Sequence, residues 1–422
     1  MRALLVTHGT RGDVQPMLAL AVALRARGHE VLLAAPDSFA DAAGEYGVEF
    51  ASLGEGPNRL MNDLVVKEAI EGGYRGVRGK ITAVRTARRV KPLMAEVLHD
   101  IGAVAKTSRA DVVVHTTGVP AHHAAEMLGV PAVVVALQPG WIPTGDFPCP
   151  MIPLPRLPKS LNRATYLAVG AILRMYAGIT TTWRTTELGL PRRRGSHDIL
   201  HDADGEDRPV LQAFSHQVAV AARDWPDSVH TTGFWYLPVA TGWEPSAELR
   251  DFLDAGPAPV YIGFGSMAGR DARRTRTVVE EAVRRAGVRA VLATGWGGIA
   301  ADAGTDELFV IDQAPHDWLF PRMSAVVHHG GGGTTGAALA AGVPQVVCPF
   351  VADQPYWANR MHAVGVAPAP IRQQNLTAER LTEALRQATG DAGIRERADR
   401  LGREIRAENG VSTAADIIET LT

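Results

Sequence analysis

The chain has few cysteines, few aromatics and almost no net charge. Its two cysteines among 422 residues, Cys149 and Cys348, lie far apart and form no C-x-x-C spacing. That excludes a disulfide framework, suggests no zinc site and fits a reducing compartment. Lysine and arginine number 43 against 45 aspartate and glutamate, a formal charge of −2, so no net field draws the chain to nucleic acid or to an anionic membrane. The local basic runs RRTR (273–276) and PRRRG (191–195) read as solvated helix or loop faces. No apolar run approaches the ~18 residues of a membrane helix. Met1 leads into RALLVTHG without the regions of a signal peptide. The expectation is a soluble cytoplasmic protein. The first glycine turn, HGTRGDVQP (8–16), lacks G-x-G-x-x-G, and G-x-x-x-x-G-K-[ST] does not occur, which weakens dehydrogenase and P-loop NTPase readings.

What is present is a repeated α/β grammar. The chain is 46% hydrophobic, enough to bury the cores of two or three domains. ALLV (3–6), a helix with Val14, Met17, Leu18, Ala21 and Leu24 at helical spacing, Gly28 and EVLLAA (30–35) form a βαβ unit with a parallel sheet. DVVVH (111–115), a helix over 120–128 and PAVVVAL (131–137) repeat it. Seven prolines with Trp141, Phe147, Met151 and Ile152 then fill 139–163, a structured loop suited to covering a ligand. The pattern restarts with PVYIGFGS (259–266), a helix over 273–286, RAVLAT (289–294), LFVID (308–312), AVVHH (325–329), a glycine run, a helix to Ala341, QVVCPF (345–350) and an amphipathic helix from Ala378. Two doubly wound, Rossmann-like domains follow, parted within FWYLPVATGWEPS (234–246). Ligands of such sheets bind beyond the carboxyl ends of the strands, so two facing domains imply a cleft.

The stretch VVHHGGGGTTGAALAAGVP (326–344) places glycines between a buried strand and a helix start, where backbone N–H groups and the helix dipole suit a phosphate or diphosphate. Thr334 and Thr335 offer hydroxyl donors, and Thr334 also fits as a helix cap. Each histidine fits a phosphate donor or a packed ring with one backbone hydrogen bond.

GTRGDVQP, HHGGGGTTGAALAAGVP and CPFVADQPYWANR (348–360), in that order, resemble the family 1 glycosyltransferases, especially the bacterial antibiotic and sterol branches. The resemblance covers nearly the whole chain. It implies the GT-B fold: an acceptor-binding domain over 1–235, a linker over 236–246, a donor domain over 247–405 and a C-terminal helix, 406–422, crossing back to the first domain. It implies inverting transfer from a UDP- or dTDP-sugar to a lipophilic hydroxyl acceptor, with no cofactor and no metal. It also implies that His329, the backbone at Gly331, Gly333 and Thr334, and Ser266 hold the diphosphate, and that Asp353 and Gln354 hold sugar hydroxyls. Ala314 and Gln313 stand where relatives contact the nucleobase, with Trp296 as the stacking ring. Trp141, Phe147 and Met151 are the expected acceptor contacts.

The resemblance places Asp13 where many relatives carry a catalytic histidine, so Asp13 is the expected base and His8 the reserve. Asp13 also reads as a cap directly preceding the Val14 helix, with Pro16 at its third position. An exposed aspartate, near pKa 3.9, is a weak base, so burial would have to help. Asp202 and Asp204 have the D-x-D spacing of metal-dependent transferases but lie in a polar loop. A nucleotide-sugar epimerase of similar fold and a silent helper are the alternatives. The chain is expected to act as a monomer or weak homodimer, without nucleic acid or stable membrane insertion.

Overall fold

The computed structural model describes residues 1–62, 76–152, 157–219, 221–265, 272–295 and 305–422. It divides into two compact units: Met1–His216 with Val220–Leu237 and Asn409–Thr422, and Gln217–Ala219 with Pro238–Glu408.

The first unit carries a seven-stranded sheet in the order β3-β2-β1-β4-β5-β6-β7. Its strands are β1 (Arg2–Val6), β2 (Glu30–Pro36), β3 (Glu49–Leu53), β4 (Val112–Thr116), β5 (Ala132–Ala136), β6 (Val210–Gln212) and β7 (Val229–Thr231). All neighbours pair in parallel. Being covered on both faces, β1 is a continuous apolar run whose alternate residues serve two cores. Ala3 and Leu5 join the helix Arg11–Ala26 and the C-terminal helix Gly410–Glu419, while Leu4 and Val6 join Val97, Leu98 and Trp183 on the other side.

The second unit has five parallel strands, ordered β10-β9-β8-β11-β12. They are β8 (Val260–Gly263), β9 (Ala290–Ala293), β10 (Leu308–Ile311), β11 (Ala325–His328) and β12 (Gln345–Val347). Val260 and Ile262 face one core and Tyr261 the other.

Several elements escape the sequence pattern. β6 and β7 are three residues each, too short for periodicity to register. The helix Gly76–Ser108 is rich in arginine and contains Pro92. The helix expected over 406–422 is instead broken at Asn409, whose φ of 49° separates the helix Ala392–Ala407 from Gly410–Glu419. Arg276, in one of the basic runs read as solvated, is 3% exposed, its Nε donating to Glu280 at 2.7 Å.

Candidate functional site

In each unit a motif singled out in the sequence lies where the strand order reverses. β1 pairs with β2 on one side and β4 on the other, so the turn Thr7–Thr10 opens at the first sheet's switch point. β8 pairs with β9 and β11, so the turns after β8 and β11 share the second sheet's switch point. Loops diverge at such points and leave a crevice for ligand.

Asp13 sits differently from the expected cap. The helix begins at Arg11, which makes Thr10 the N-cap, Asp13 the third helical residue and Pro16 the sixth. Asp13 supplies the returning half of a capping box: its Oδ2 accepts from the Thr10 backbone N–H at 2.9 Å and from Thr10 Oγ1 at 3.3 Å. Burial pushes the carboxyl pKa up against these two hydrogen bonds. Gly9, at φ 147°, is required here, because a Cβ would lie 2.3 Å from Asp13 Oδ2. Three partners that no motif advertised hold the turn. Asn58 Nδ2 donates to Gly9 O at 2.7 Å, Thr7 Oγ1 donates to Asp13 O at 3.1 Å, and Thr116 Oγ1 meets Thr7 Oγ1 at 3.3 Å. Of these only Thr7 adjoins the turn in sequence; Asn58 comes from the 3-10 helix Gly56–Asn62 and Thr116 from the carboxyl end of β4. His8 Nε2 is 3.2 Å from Gly54 O, and burial lowers its pKa.

The two histidines of the second unit have separate fates. His328 is fully buried, accepts from the Gly330 N–H at Nδ1 (3.0 Å), and therefore presents Nε2–H to Gln345 Oε1 at 2.8 Å. Both nitrogens are used, and burial lowers its pKa to about 3. His329 is half-buried, but its Nδ1 is sealed from solvent and has no partner among the described residues. Burial lowers its pKa to about 4, so at neutral pH the ring has one N–H donor and one lone pair.

Gly331 is the N-cap of the helix Gly332–Ala341, and Thr334 is its third residue. Thr334 therefore does not cap the helix. The N–H groups of Gly331, Gly332, Gly333 and Thr334 have no partner inside the helix, which is the ordinary condition of a first turn. A Cβ on Gly331 would come 2.6 Å from His329 Nε2, and one on Gly265 would come 3.3 Å from His329 Cε1, so glycine in both turns keeps the histidine edge open. Thr335 is fully buried, its hydroxyl turned away from solvent.

Gln354 is 7% exposed and its Oε1 accepts from the N–H groups of Phe350 (2.8 Å) and Val351 (3.2 Å), leaving the amide Nε2 as its outward donor. Asp353 occupies the N-cap of the helix Gln354–Ala363 but makes no side-chain cap; its Oδ2 accepts from Trp357 Nε1 at 2.9 Å. Preceding it, Ala352 has φ 56°, a backbone that turns the chain sharply into the helix. Ala314 is buried and Gln313 exposed just beyond the carboxyl end of β10. Ser266 and Trp296 lie outside the described residues.

The acceptor contacts expected from sequence pack against neighbouring elements of the first unit. Met151 and Trp141 join Cys149, Tyr166 and Val169, and Phe147 meets Trp225 edge to face at 6.0 Å. A cavity of the first unit lies elsewhere, beyond the carboxyl end of β4, lined by Met94, Leu98, Thr117, Leu173, Tyr176 and Ile199 among others. Asp202 Oδ1 accepts from the N–H groups of Asp204 and Glu206, each at 2.9 Å, closing its own loop.

Two all-parallel units, each with a ligand-competent turn at its switch point, define a protein of the two-domain GT-B class. Comparison with known proteins then gives the family. Residues 3–138 match the glycosyltransferase family 28 N-terminal domain, and residues 303–421 match the erythromycin biosynthesis protein CIII-like C-terminal domain. The O-mycaminosyltylonolide 6-deoxyallosyltransferase of Streptomyces fradiae is 34% identical over 99% of this chain and 97% of its own. A sterol 3-beta-glucosyltransferase of Arabidopsis thaliana is 33% identical over 98% of this chain, which spans 64% of that relative's length. The crystal structure of the glycotransferase of kitacinnamycin superposes with TM-score 0.70 at 21% identity, covering 100% of this chain and 99% of that one. The chain belongs to the glycosyltransferases. Among the described residues no helix is long and apolar enough to cross a membrane.

Proposed function

We propose that the chain transfers a hexose or deoxyhexose from a UDP- or dTDP-sugar to a hydroxyl of a lipophilic acceptor of the macrolide, polyketide or sterol type, with inversion and without a metal. The observation that carries this is the placement of both motifs, Asp13 after β1 and His329–Thr334 after β11, at the switch points of their sheets. The relatives named for a macrolide and for sterols support the acceptor class.

In this reading the N–H groups of Gly331, Gly333 and Thr334 and the His329 ring hold the donor's diphosphate, with Ser266 on the same phosphates. They stabilise the charge that grows as the bond from the anomeric carbon to the diphosphate breaks. Asp353 and the Gln354 amide hold sugar hydroxyls, and Ala314 and Gln313 meet the base, with Trp296 as the stacking ring. Asp13 removes the acceptor hydroxyl proton while that oxygen attacks the anomeric carbon from the face opposite the leaving group. The acceptor pocket is assigned to the cavity at Met94, Leu98, Thr117 and Tyr176, in place of Trp141, Phe147 and Met151.

Incubation with UDP- and dTDP-sugars and an acceptor panel, read by mass spectrometry, tests the activity. NMR of the product's anomeric centre tests inversion, and persistence of transfer in EDTA tests metal independence. Nucleotide release without glycoside, or an epimerised sugar, overturns the reading.

A further inference from the structure

We propose that the first unit docks on anionic lipid bilayers through the helix Leu167–Met175 and the segments around it. Among the described residues, the exposed large apolar side chains are Ile81, Leu161, Leu167, Ile172 and Met175. All five lie on two segments of one unit. Along Leu167–Met175 the outward positions are Leu167, Ala168, Ala171, Ile172 and Met175, spaced so that they form one stripe, with Arg174 beside it. The inward side of the same helix is also apolar: Val169 is buried, and Leu173 reaches the cavity. A helix apolar on both sides is expected to be covered on both sides.

Charge selects the covering. The chain has no acidic residue between Asp146 and Glu187, where it carries Arg156, Lys159, Arg163, Arg174 and Arg184. Nor has it one between Glu71 and Glu96, where Arg75, Arg78, Lys80, Arg85, Arg88, Arg89 and Lys91 fall. Lys159, Arg163, Arg174, Arg85, Arg88 and Lys91 are exposed. Arg184 is spent on Glu126, and Arg163 stands 3.5 Å from exposed Asp224. An exposed apolar stripe flanked along the chain by exposed cations matches an interface of acyl chains beneath anionic headgroups. A second copy of the chain would bring the same cations together. The balance of −2 over the whole chain hides this asymmetry.

The same helices, Gly76–Ser108 and Leu167–Met175, wall the cavity assigned to the acceptor, so docking sets that cavity beside the bilayer; this last consequence rests on the proposed function, whereas docking itself does not. The test is co-sedimentation of the full chain with vesicles of phosphatidylcholine alone and of phosphatidylcholine mixed with phosphatidylglycerol. The chain is expected to pellet with the mixed vesicles and to be released by salt. The combined substitution Leu167→Glu, Ile172→Glu and Met175→Glu should lower that partitioning by about tenfold or more, with an unchanged melting curve. The pair Lys159→Glu and Arg85→Glu, which leaves the stripe intact, should abolish the preference for mixed vesicles. Absence of the wild-type chain from the mixed-vesicle pellet, or equal pelleting of the triple variant, overturns the proposal. So does a dimer in solution that the triple substitution dissolves. Because pelleting is read without any sugar donor, failure of transfer and failure of docking remain distinguishable.

Discussion

In the proposed reaction Asp13 accepts the acceptor's proton, and burial favours its protonated form. That preference suits a base, because an aspartate at its ordinary pKa of about 3.9 holds a proton too weakly to draw one from a hydroxyl. Asp13→Asn keeps an oxygen for the Thr10 N–H, so the helix start should survive. Turnover is expected to fall by about 10²–10⁴-fold with donor affinity and melting temperature unchanged, checked by steady-state transfer and calorimetry. Wild-type turnover in this variant would remove Asp13 from the role. Since the base must be unprotonated, kcat/KM of the wild type should decline as pH falls through the raised Asp13 pKa, and the variant's residual rate should lack that limb. Gly9→Ala tests the geometry alone. Its Cβ would take the place of Asp13 Oδ2, and the displaced carboxylate should cost about a hundredfold in kcat.

At the scale of the element, the strand, turn and helix from Ala325 to Ala341 divide labour between neighbouring histidines. His329→Ala removes an N–H donor from the proposed diphosphate site, so the donor KM should rise about tenfold or more with little change in melting temperature. His328→Ala should do the reverse. It strands the Gly330 N–H and the Gln345 amide in the core, at about 1–3 kcal/mol for each buried group, and a lowered melting temperature should appear with or without donor. Equal effects of the two substitutions would contradict this division. Sequence could quote HHGGGG as phosphate-competent, but two adjacent histidines are indistinguishable until strand β11 fixes which one faces the core.

The whole molecule carries a further buried histidine cluster. His115, His122 and His123 lie together in the first unit, with ring centroids 5.6 Å and 4.1 Å apart along the series. Burial lowers His115 to about 4 and His123 to about 3, in the latter case with help from Arg184, and it holds His122 well below its ordinary value. The unfolded chain takes up these protons near pH 6.5, whereas the folded chain resists them to pH 4 or below. Stability is therefore fully present above about pH 6.5 and lost as pH falls through that window, by up to about 1.4 kcal/mol per histidine per pH unit. A melting temperature that does not drop between pH 7 and pH 5 would refute this. The C-terminal helix is the other long-range dependence. It buries Ala414, Ala415 and Ile418 against the first unit's core and offers Asp416 and Glu419 to Arg27 at 2.6 and 3.0 Å. Deleting 409–422 should destabilise the first unit by about 3–5 kcal/mol and leave the second unit's transition in place, as calorimetry would show.

The sequence by itself determined that strands and helices alternate, because a parallel strand buried on both faces must be a continuous apolar run and is visible as one. It determined the family through three spaced motifs, and the glycines that an anion needs. It left the helix 76–108 and the strands β6 and β7 unread, since one is too polar and the others too short for periodicity to show. Strand order, and so the placing of Asp13 and His329 at switch points, was decided only in three dimensions, because order depends on which sheet edge each crossover chooses. So were the half-capping role of Asp13, the inward turn of His328, the packing of Trp141 and Met151 against Tyr166 and Val169, and the exposed apolar stripe of Leu167–Met175. Burial is a property of neighbours, and neighbours distant in sequence exist only once the chain has folded.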